Sequence, residues 1–198
     1  MKSGRDIIGN LHQQQKGIYM KTVLFAILLI STPSFAGKEA EGEKAATAVL
    51  KGIRGKLTEE MAKNLVNSVG YCHENAIVLT EKFWQEYPRV TSVKRTSLKI
   101  RNGKNQPDER ELKVLKEWQK LKDGGKPLPP FVFEEISTNE VRYYKPLTVE
   151  KMCLTCHGQP TGDLAKAIQT KYPQDKAIGY KDGEFRGLIR VSFKPETF

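Results

Sequence analysis

The feature that most constrains this chain is the run KMCLTCHG at residues 151–158, in which Cys153 and Cys156 stand three positions apart and His157 follows directly. In an exported chain this order is a strong signal for covalent attachment of a c-type haem. Each thiol can form a thioether to one vinyl-derived carbon of the porphyrin, and the histidine then supplies an axial nitrogen to the iron. The motif therefore predicts one covalently attached haem c, with Cys153 and Cys156 as its attachment residues and His157 as an iron ligand.

Two other chemistries use closely spaced cysteines. A redox disulfide of the thioredoxin kind would pair Cys153 with Cys156, but that motif usually opens a helix after a strand and needs no histidine behind it. A zinc site would need a second ligand pair at proper spacing, and only Cys72 and His73 remain, on a different element. Both alternatives are less favoured than haem attachment.

The N-terminal segment reads as an export signal. Residues 20–36 contain a charged start at Lys21, an apolar stretch over 23–30 and a small-residue cleavage site that ends at Ala36. The apolar stretch is too short for a permanent span; an uncleaved anchor or a buried strand is the alternative. Translation from Met20 would leave residues 1–19 untranslated. We predict a signal region over 1–36 and one periplasmic domain over 37–198, with no stable membrane anchor after cleavage.

The charge pattern excludes one class of partner. The formal net charge is +10, and removal of residues 1–36, with four basic residues and one acidic residue, leaves +7. Lys and Arg alternate with Asp and Glu along the chain, which is typical of solvated helix faces. No basic run with base-stacking aromatic residues is present, so we expect no nucleic-acid partner. The expected partner is an unidentified redox or signalling protein of the periplasm.

A second iron ligand must come from elsewhere in the chain, or the position stays open. Residues 58–86 have a helical pattern with Thr58 as the cap. With Met61 at zero on a helical wheel, Cys72 lies at about 20° in the apolar stripe and His73 at about 120° near its edge. A buried free cysteine is often a plain packing residue, but an unpaired thiol outside the cytoplasm is a liability unless used. The pattern leaves these candidates, in addition to an open position: Cys72, His73, Met61 and Met152.

Four blocks of sequence carry a resemblance to a known family. They are CHENA, RTSLKIRNGKNQPDERE, EVRYYKPLTVEKMCLTCHG and AIGYKDGEFRGLIRVSF, which occur in this order and cover most of residues 57–194. The chain resembles a family of periplasmic single-haem domains, formerly of unknown function and typified by a cyanobacterial c-type cytochrome. The resemblance implies a PAS-like fold and axial ligation by His157 and the Cys72 thiolate. Family members occur alone and as sensory modules of receptors and kinases.

The remaining patterns predict an α+β fold with an antiparallel sheet, a long N-terminal helix and flanking helices. Short helices are expected over residues 40–54 and 162–171, and Asp108 with Glu111 forms a capping box for a third. Strands are expected over residues 89–102, 131–137, 140–147 and 184–193, with a turn at 138–139.

Several residues are candidates for contacts with the haem. Arg95, Lys99 and Arg101 are possible partners of the two propionates, with an exposed basic strand edge as the alternative. Tyr144, with Tyr143 and Pro146, is expected in the pocket wall, with an ordinary core position as the alternative.

The ligand set favours a redox function. Iron that is saturated on both faces exchanges electrons or reports potential, so we expect an electron carrier or redox sensor. Release of Cys72 on reduction would instead give a sensor of carbon monoxide or nitric oxide. A peroxidase needs an open iron and a distal acid-base residue, for which His73 is the available histidine. No enzyme activity is expected.

Overall fold

The computed structural model describes the backbone of residues 33–194 and the side chains of residues 37–194. The predicted signal region lies almost entirely outside the described residues. Within them the fold is α+β, as predicted, and none of the helices has the length and apolarity that a membrane span requires. The elements are α1 (Pro33–Lys63), α2 (Asn67–Trp84), β1 (Val90–Thr96), α3 (Glu109–Asp123), β2 (Val132–Ser137), β3 (Glu140–Thr148), α4 (Leu154–His157), α5 (Gly162–Lys171) and β4 (Phe185–Phe193).

The four strands form one antiparallel sheet in the order β1-β4-β3-β2. The last strand is therefore central and pairs with both β1 and β3. Both Leu188 and Ile189 of β4 are fully buried, because successive side chains of a strand point to opposite faces and both faces are covered.

Each face of the sheet has its own core. On one face, Val49 of α1 packs with Tyr143 and Val191. On the other face, Leu115 and Trp118 of α3 pack with neighbouring residues of β3 and β4, among them Tyr144 and Leu188. The alternation of the strands thus separates an α1/α2 face from an α3 face.

The first two helices differ from their predicted bounds. A single helix runs from Pro33 to Lys63 where two were expected, and Thr58 is not a cap because its hydroxyl donates to the Arg54 carbonyl at 2.9 Å inside α1. The chain turns at Asn64 instead, whose side-chain oxygen accepts from the Asn67 backbone at 2.9 Å. Asn64 could have predicted the position of this turn, since a side-chain acceptor can satisfy the free N–H groups at a helix start.

The first strand is shorter than the predicted 89–102. Val90 and Val93 are buried as expected, but β1 ends at Thr96 and Leu98 is exposed. Beyond the strand, the Ser97 hydroxyl accepts from the Lys99 backbone at 3.1 Å, a local bond that competes with sheet pairing. The residues after Thr96 therefore form a loop.

The other predicted elements are confirmed. Asp108 and Glu111 form the expected capping box of α3, the β2–β3 hairpin turns at residues 138–139, and the short helix spans Gly162–Lys171. The periodicity did not reveal that Glu111 is fully buried, with Lys94 at 2.7 Å and Arg190 at 2.9 Å.

The contact between α1 and α2 gives a matched test of this packing. A Cβ at Gly52 would lie 2.5 Å from the Phe83 ring, whereas one at Gly55, a turn later in the same helix, would meet nothing within 4 Å. We expect Gly52→Ala to lower the free energy of unfolding by about 1–3 kcal/mol through overpacking. Gly55→Ala should instead raise it by about 0.5–1 kcal/mol, because alanine is the better helix former. Urea unfolding of the two variants measures both, and equal effects would contradict the packing described here.

Candidate cofactor site

A cavity of about 290 Å³ lies on the α1/α2 face of the sheet. Its lining includes Cys153, Cys156 and His157 of the motif, together with Cys72 of α2. All three cysteines of the chain are free thiols in the structure. The motif and Cys72, which are far apart in the sequence, thus meet at one site.

Local structure presents the motif as a single helical turn. A short 3₁₀ helix over Lys151–Cys153 leads directly into α4, which ends at His157 with Gly158 as its C-cap. In such a turn, residues three apart lie on the same side, which places Cys153 and Cys156 together. Gly158 is required at the end because a Cβ there would lie 2.7 Å from the Leu154 carbonyl oxygen.

The His157 ring is oriented by a backbone carbonyl. Its Nδ1 lies 2.7 Å from the Ala177 oxygen, and since a carbonyl can only accept, the tautomer with a proton on Nδ1 is assigned. Burial, and after it the nearby charges of Arg186 and Arg101, lowers the pKa of His157 to about 3. The imidazole is therefore neutral with an unprotonated Nε2, the form that ligates a metal.

Arg101 fixes the loop that holds this histidine. Its guanidinium pairs with Asp175 at 2.9 Å and donates to the carbonyl of Cys156 at 2.6 Å and to that of Ala177 at 3.3 Å. The side chains of both charged partners are largely buried, with 14% and 4% exposed. One ion pair thus ties the motif to the segment that orients His157.

The candidates for a second ligand occupy different places. Cys72, Met61 and Met152 line the cavity. Burial raises the pKa of the Cys72 thiol, and the nearby Cys156 thiol raises it further. His73 is exposed and packs edge-on against the ring of Tyr172, with 4.9 Å between ring centroids, so it is not part of the cavity lining.

The basic candidates also separate. Arg95 and Arg101 line the cavity, whereas Lys99 is exposed and lies over the Tyr180 ring, 4.9 Å from its centroid. Two further cavity arginines were missed: Arg54 of α1, which pairs with Glu150, and, in the sheet, Arg186 of β4. It lies at a shift in the β3–β4 register, where Leu147 pairs with Gly187 but Thr148 pairs with Phe185. Such a bulge re-aims the side chain of its extra residue, and strand alternation alone does not predict it.

The predicted role of Tyr144 in the pocket wall needs correction. Tyr144 is fully buried in the α3 face of the sheet, where its hydroxyl donates to Glu134 at 3.0 Å. Tyr143 lies on the cavity's face of the sheet but in the core beneath α1, with its hydroxyl 2.6 Å from Glu43. Neither ring reaches the cavity; Leu147 and Thr148 at the end of β3 do.

The whole chain can be compared with known proteins. A model of the Tll0287-like family matches residues 10–194. The chain belongs to the Tll0287-like family. Its structure is similar to the crystal structure of the cyanobacterial heme-protein Tll0287, with a TM-score of 0.51, 18% sequence identity, and coverage of 84% of this chain and 98% of that one. At this identity the likeness shows the fold. No curated protein matches the chain.

The residues of this Tll0287-like chain fit the cofactor that the motif predicts. The cavity offers two thiols one turn apart, a neutral imidazole, a further sulfur on the α2 side and cationic groups. Among these groups, the buried Nε of Arg95 has no hydrogen-bond partner in the part of the chain that the structure describes. A metal ion alone fits less well, because within residues 37–194 no three His, Cys, Asp or Glu side chains come together as a metal site requires.

The Arg101–Asp175 pair can be tested by stability. Asp175→Asn would leave a buried guanidinium without its counter-charge, so we expect the free energy of unfolding to fall by about 3–5 kcal/mol. Asp163→Asn is the matched control, because the Asp163–Lys166 pair is at least 80% exposed on both sides and exposed pairs contribute about 0–1 kcal/mol. Urea unfolding at neutral pH measures both variants. An Asp175→Asn effect as small as that of the control would contradict the role assigned to the pair.

Proposed function

We propose that this chain is a periplasmic monohaem c-type cytochrome that acts in electron transfer or redox sensing. Cys153 and Cys156 would carry the haem covalently, and His157 and Cys72 would ligate the iron. The observation that supports this most strongly is that these four residues line one cavity. Membership of the Tll0287-like family and the fold shared with a heme-protein support the same proposal.

When bound, a haem supplies reversible one-electron chemistry at its iron. The contribution of the chain is to hold and tune it. The Ala177 carbonyl fixes the orientation of the His157 ring, and an acceptor of this kind at Nδ1 raises the basicity of the other ring nitrogen, Nε2. The cores around Cys156 and Cys153 pack apolar side chains behind the motif and limit the access of water.

The ligand pair argues for a redox role rather than substrate chemistry. If His157 and Cys72 both ligate the iron, they would leave no position on it for a substrate. A thiolate donates charge to ferric iron, so the reduction potential is expected to be low. The exposed His73 does not line the cavity, and a distal acid-base residue for peroxidase chemistry would have to come from another element.

Covalent attachment is the first test. The exported chain, made with the c-type maturation machinery, is expected to carry one haem that survives denaturation, and its mass is expected to correspond to a chain that starts at Gly37. Cys153→Ser and Cys156→Ser should each leave a single thioether, and the double substitution none, because each thiol forms one bond to the porphyrin. Intact mass spectrometry and the absorption of the pyridine haemochrome measure this. A haem that is extracted from the unsubstituted chain by acidified solvent would contradict the proposal.

The axial ligand is tested by electron paramagnetic resonance of the ferric protein. We expect a low-spin thiolate signal that is lost in Cys72→Ala, because the cavity side chain is then removed. His73→Ala is the matched control at the adjacent position and should leave the signal unchanged, since His73 lies outside the cavity lining. The reverse pattern, with His73→Ala changing the signal and Cys72→Ala leaving it intact, would assign the ligand to His73.

A further inference from the structure

Two arginines at the cavity differ from the other described arginines. Residues 37–194 contain eight arginines. Six of them pair with a carboxylate: Arg54, Arg89, Arg101, Arg110, Arg142 and Arg190. No Asp or Glu of the described residues lies within 4.0 Å of the charged groups of Arg95 or Arg186, and both line the cavity.

Arg95 reaches the cavity from β1. It lies on the same side of the strand as Val93, whose side chain is in the core of the α1/α2 face. Among residues 37–194, its guanidinium donates only to the Ala76 carbonyl, at 3.3 Å, and its buried Nε has no partner. A buried cation with an unsatisfied donor is costly unless a further group compensates it.

Arg186 reaches the cavity through the bulge at Gly187. The φ angle of Gly187 is 148°, and a Cβ there would lie 2.2 Å from the Thr96 carbonyl oxygen, so the bulge requires glycine. The Arg186 guanidinium donates to the Lys99 carbonyl at 3.1 Å and lies 5.2 Å from the centroid of the Tyr180 ring. These contacts orient the group but leave its charge uncompensated.

The pKa shifts of the two arginines agree with their lack of a counter-charge. Burial lowers the pKa of Arg95, the Cys72 thiol opposes this shift, and the neighbouring charge of Arg186 adds to it. Burial likewise lowers the pKa of Arg186, and the charge of Arg101 contributes to the decrease. The cavity therefore holds excess positive charge that calls for anionic groups from the ligand.

We propose that Arg95 and Arg186 each bind one carboxylate of a ligand with two, which in the proposed function are the two haem propionates. Arg101 has a different role, because Asp175 already neutralises it and its donors are engaged by backbone carbonyls. Lys99, which is exposed, takes no propionate. This inference rests on the proposed function.

The test compares a free-acid with an esterified porphyrin. In a Cys153→Ala/Cys156→Ala background, no thioether forms and binding of haemin can be measured at equilibrium. We expect haemin to bind at least about tenfold more tightly than haemin dimethyl ester, because a charge-assisted hydrogen bond contributes about that factor or more. Arg95→Gln and Arg186→Gln should each reduce the preference, and the double substitution should abolish it. Lys99→Gln is the matched control and should keep it.

Two further measurements keep the inference testable if the background binds neither porphyrin. In the covalent holoprotein, resonance Raman spectroscopy of the propionate bending modes should change in Arg95→Gln and Arg186→Gln but not in Lys99→Gln. In the haem-free protein, Arg95→Met should be at least as stable to urea as the unsubstituted chain, since it removes an uncompensated charge. Arg101→Met should be less stable, because it breaks an ion pair.

The outcomes separate this inference from the proposed function. Unchanged propionate modes in both Arg95→Gln and Arg186→Gln, in chains with full haem content, would overturn the arginine assignment and leave the cytochrome standing. The same preference for haemin over its ester in the double arginine variant would also overturn it. Absence of covalent haem from the unsubstituted exported chain would overturn the proposed function itself.

Discussion

The carbonyl oxygen of Ala177 is the point on which the geometry of the site depends. It accepts from His157 at 2.7 Å and from Arg101 at 3.3 Å. The same segment is held by further backbone bonds, from Tyr180 to the His157 carbonyl at 3.0 Å and from Gly179 to the Gly158 carbonyl at 2.7 Å. The end of the motif is therefore paired with an antiparallel segment of the chain. This pairing holds the imidazole in one orientation. A ligand that must meet an iron from a fixed side needs such pre-organisation.

The sheet determines what else reaches the cavity. Strand alternation assigns Tyr144 to the α3 face and Arg95 to the cavity's face, although both were plausible pocket residues by sequence position alone. The exception is Arg186, which lies in the bulge where the alternation fails. The glycine that allows the bulge also allows a cation at a place where the regular strand would have placed an apolar side chain.

These cases show which parts of the site a sequence can predict. Local chemistry was sufficient where the determining atoms are close in the chain: the capping box of Asp108 and Glu111, the hairpin turn, and the helical turn that brings Cys153 beside Cys156. Local chemistry was insufficient where contacts between residues far apart in the sequence determine the structure. The helix break lies at Asn64 rather than before Thr58. Both residue types can cap a helix, so the capping preference alone does not determine the position of the break. Arg186 could be found only from the β3–β4 register, which no local pattern contains. Cys72 and His73 were adjacent candidates, and only the placement of α2 separates them.

The charge of the cavity connects binding with stability. Partly buried cations without counter-charges lower the stability of the empty protein, and whatever neutralises them restores it on binding. Arg95 and Arg186 would thus cost the chain free energy before the cofactor arrives and favour the loaded state afterwards. The Arg101–Asp175 pair behaves in the opposite way, because it is neutral by itself and holds the segment around His157 whether or not a ligand is present. Arg101 thus shapes the site in advance, whereas the charges of Arg95 and Arg186 would be neutralised only by the ligand in the proposal made above.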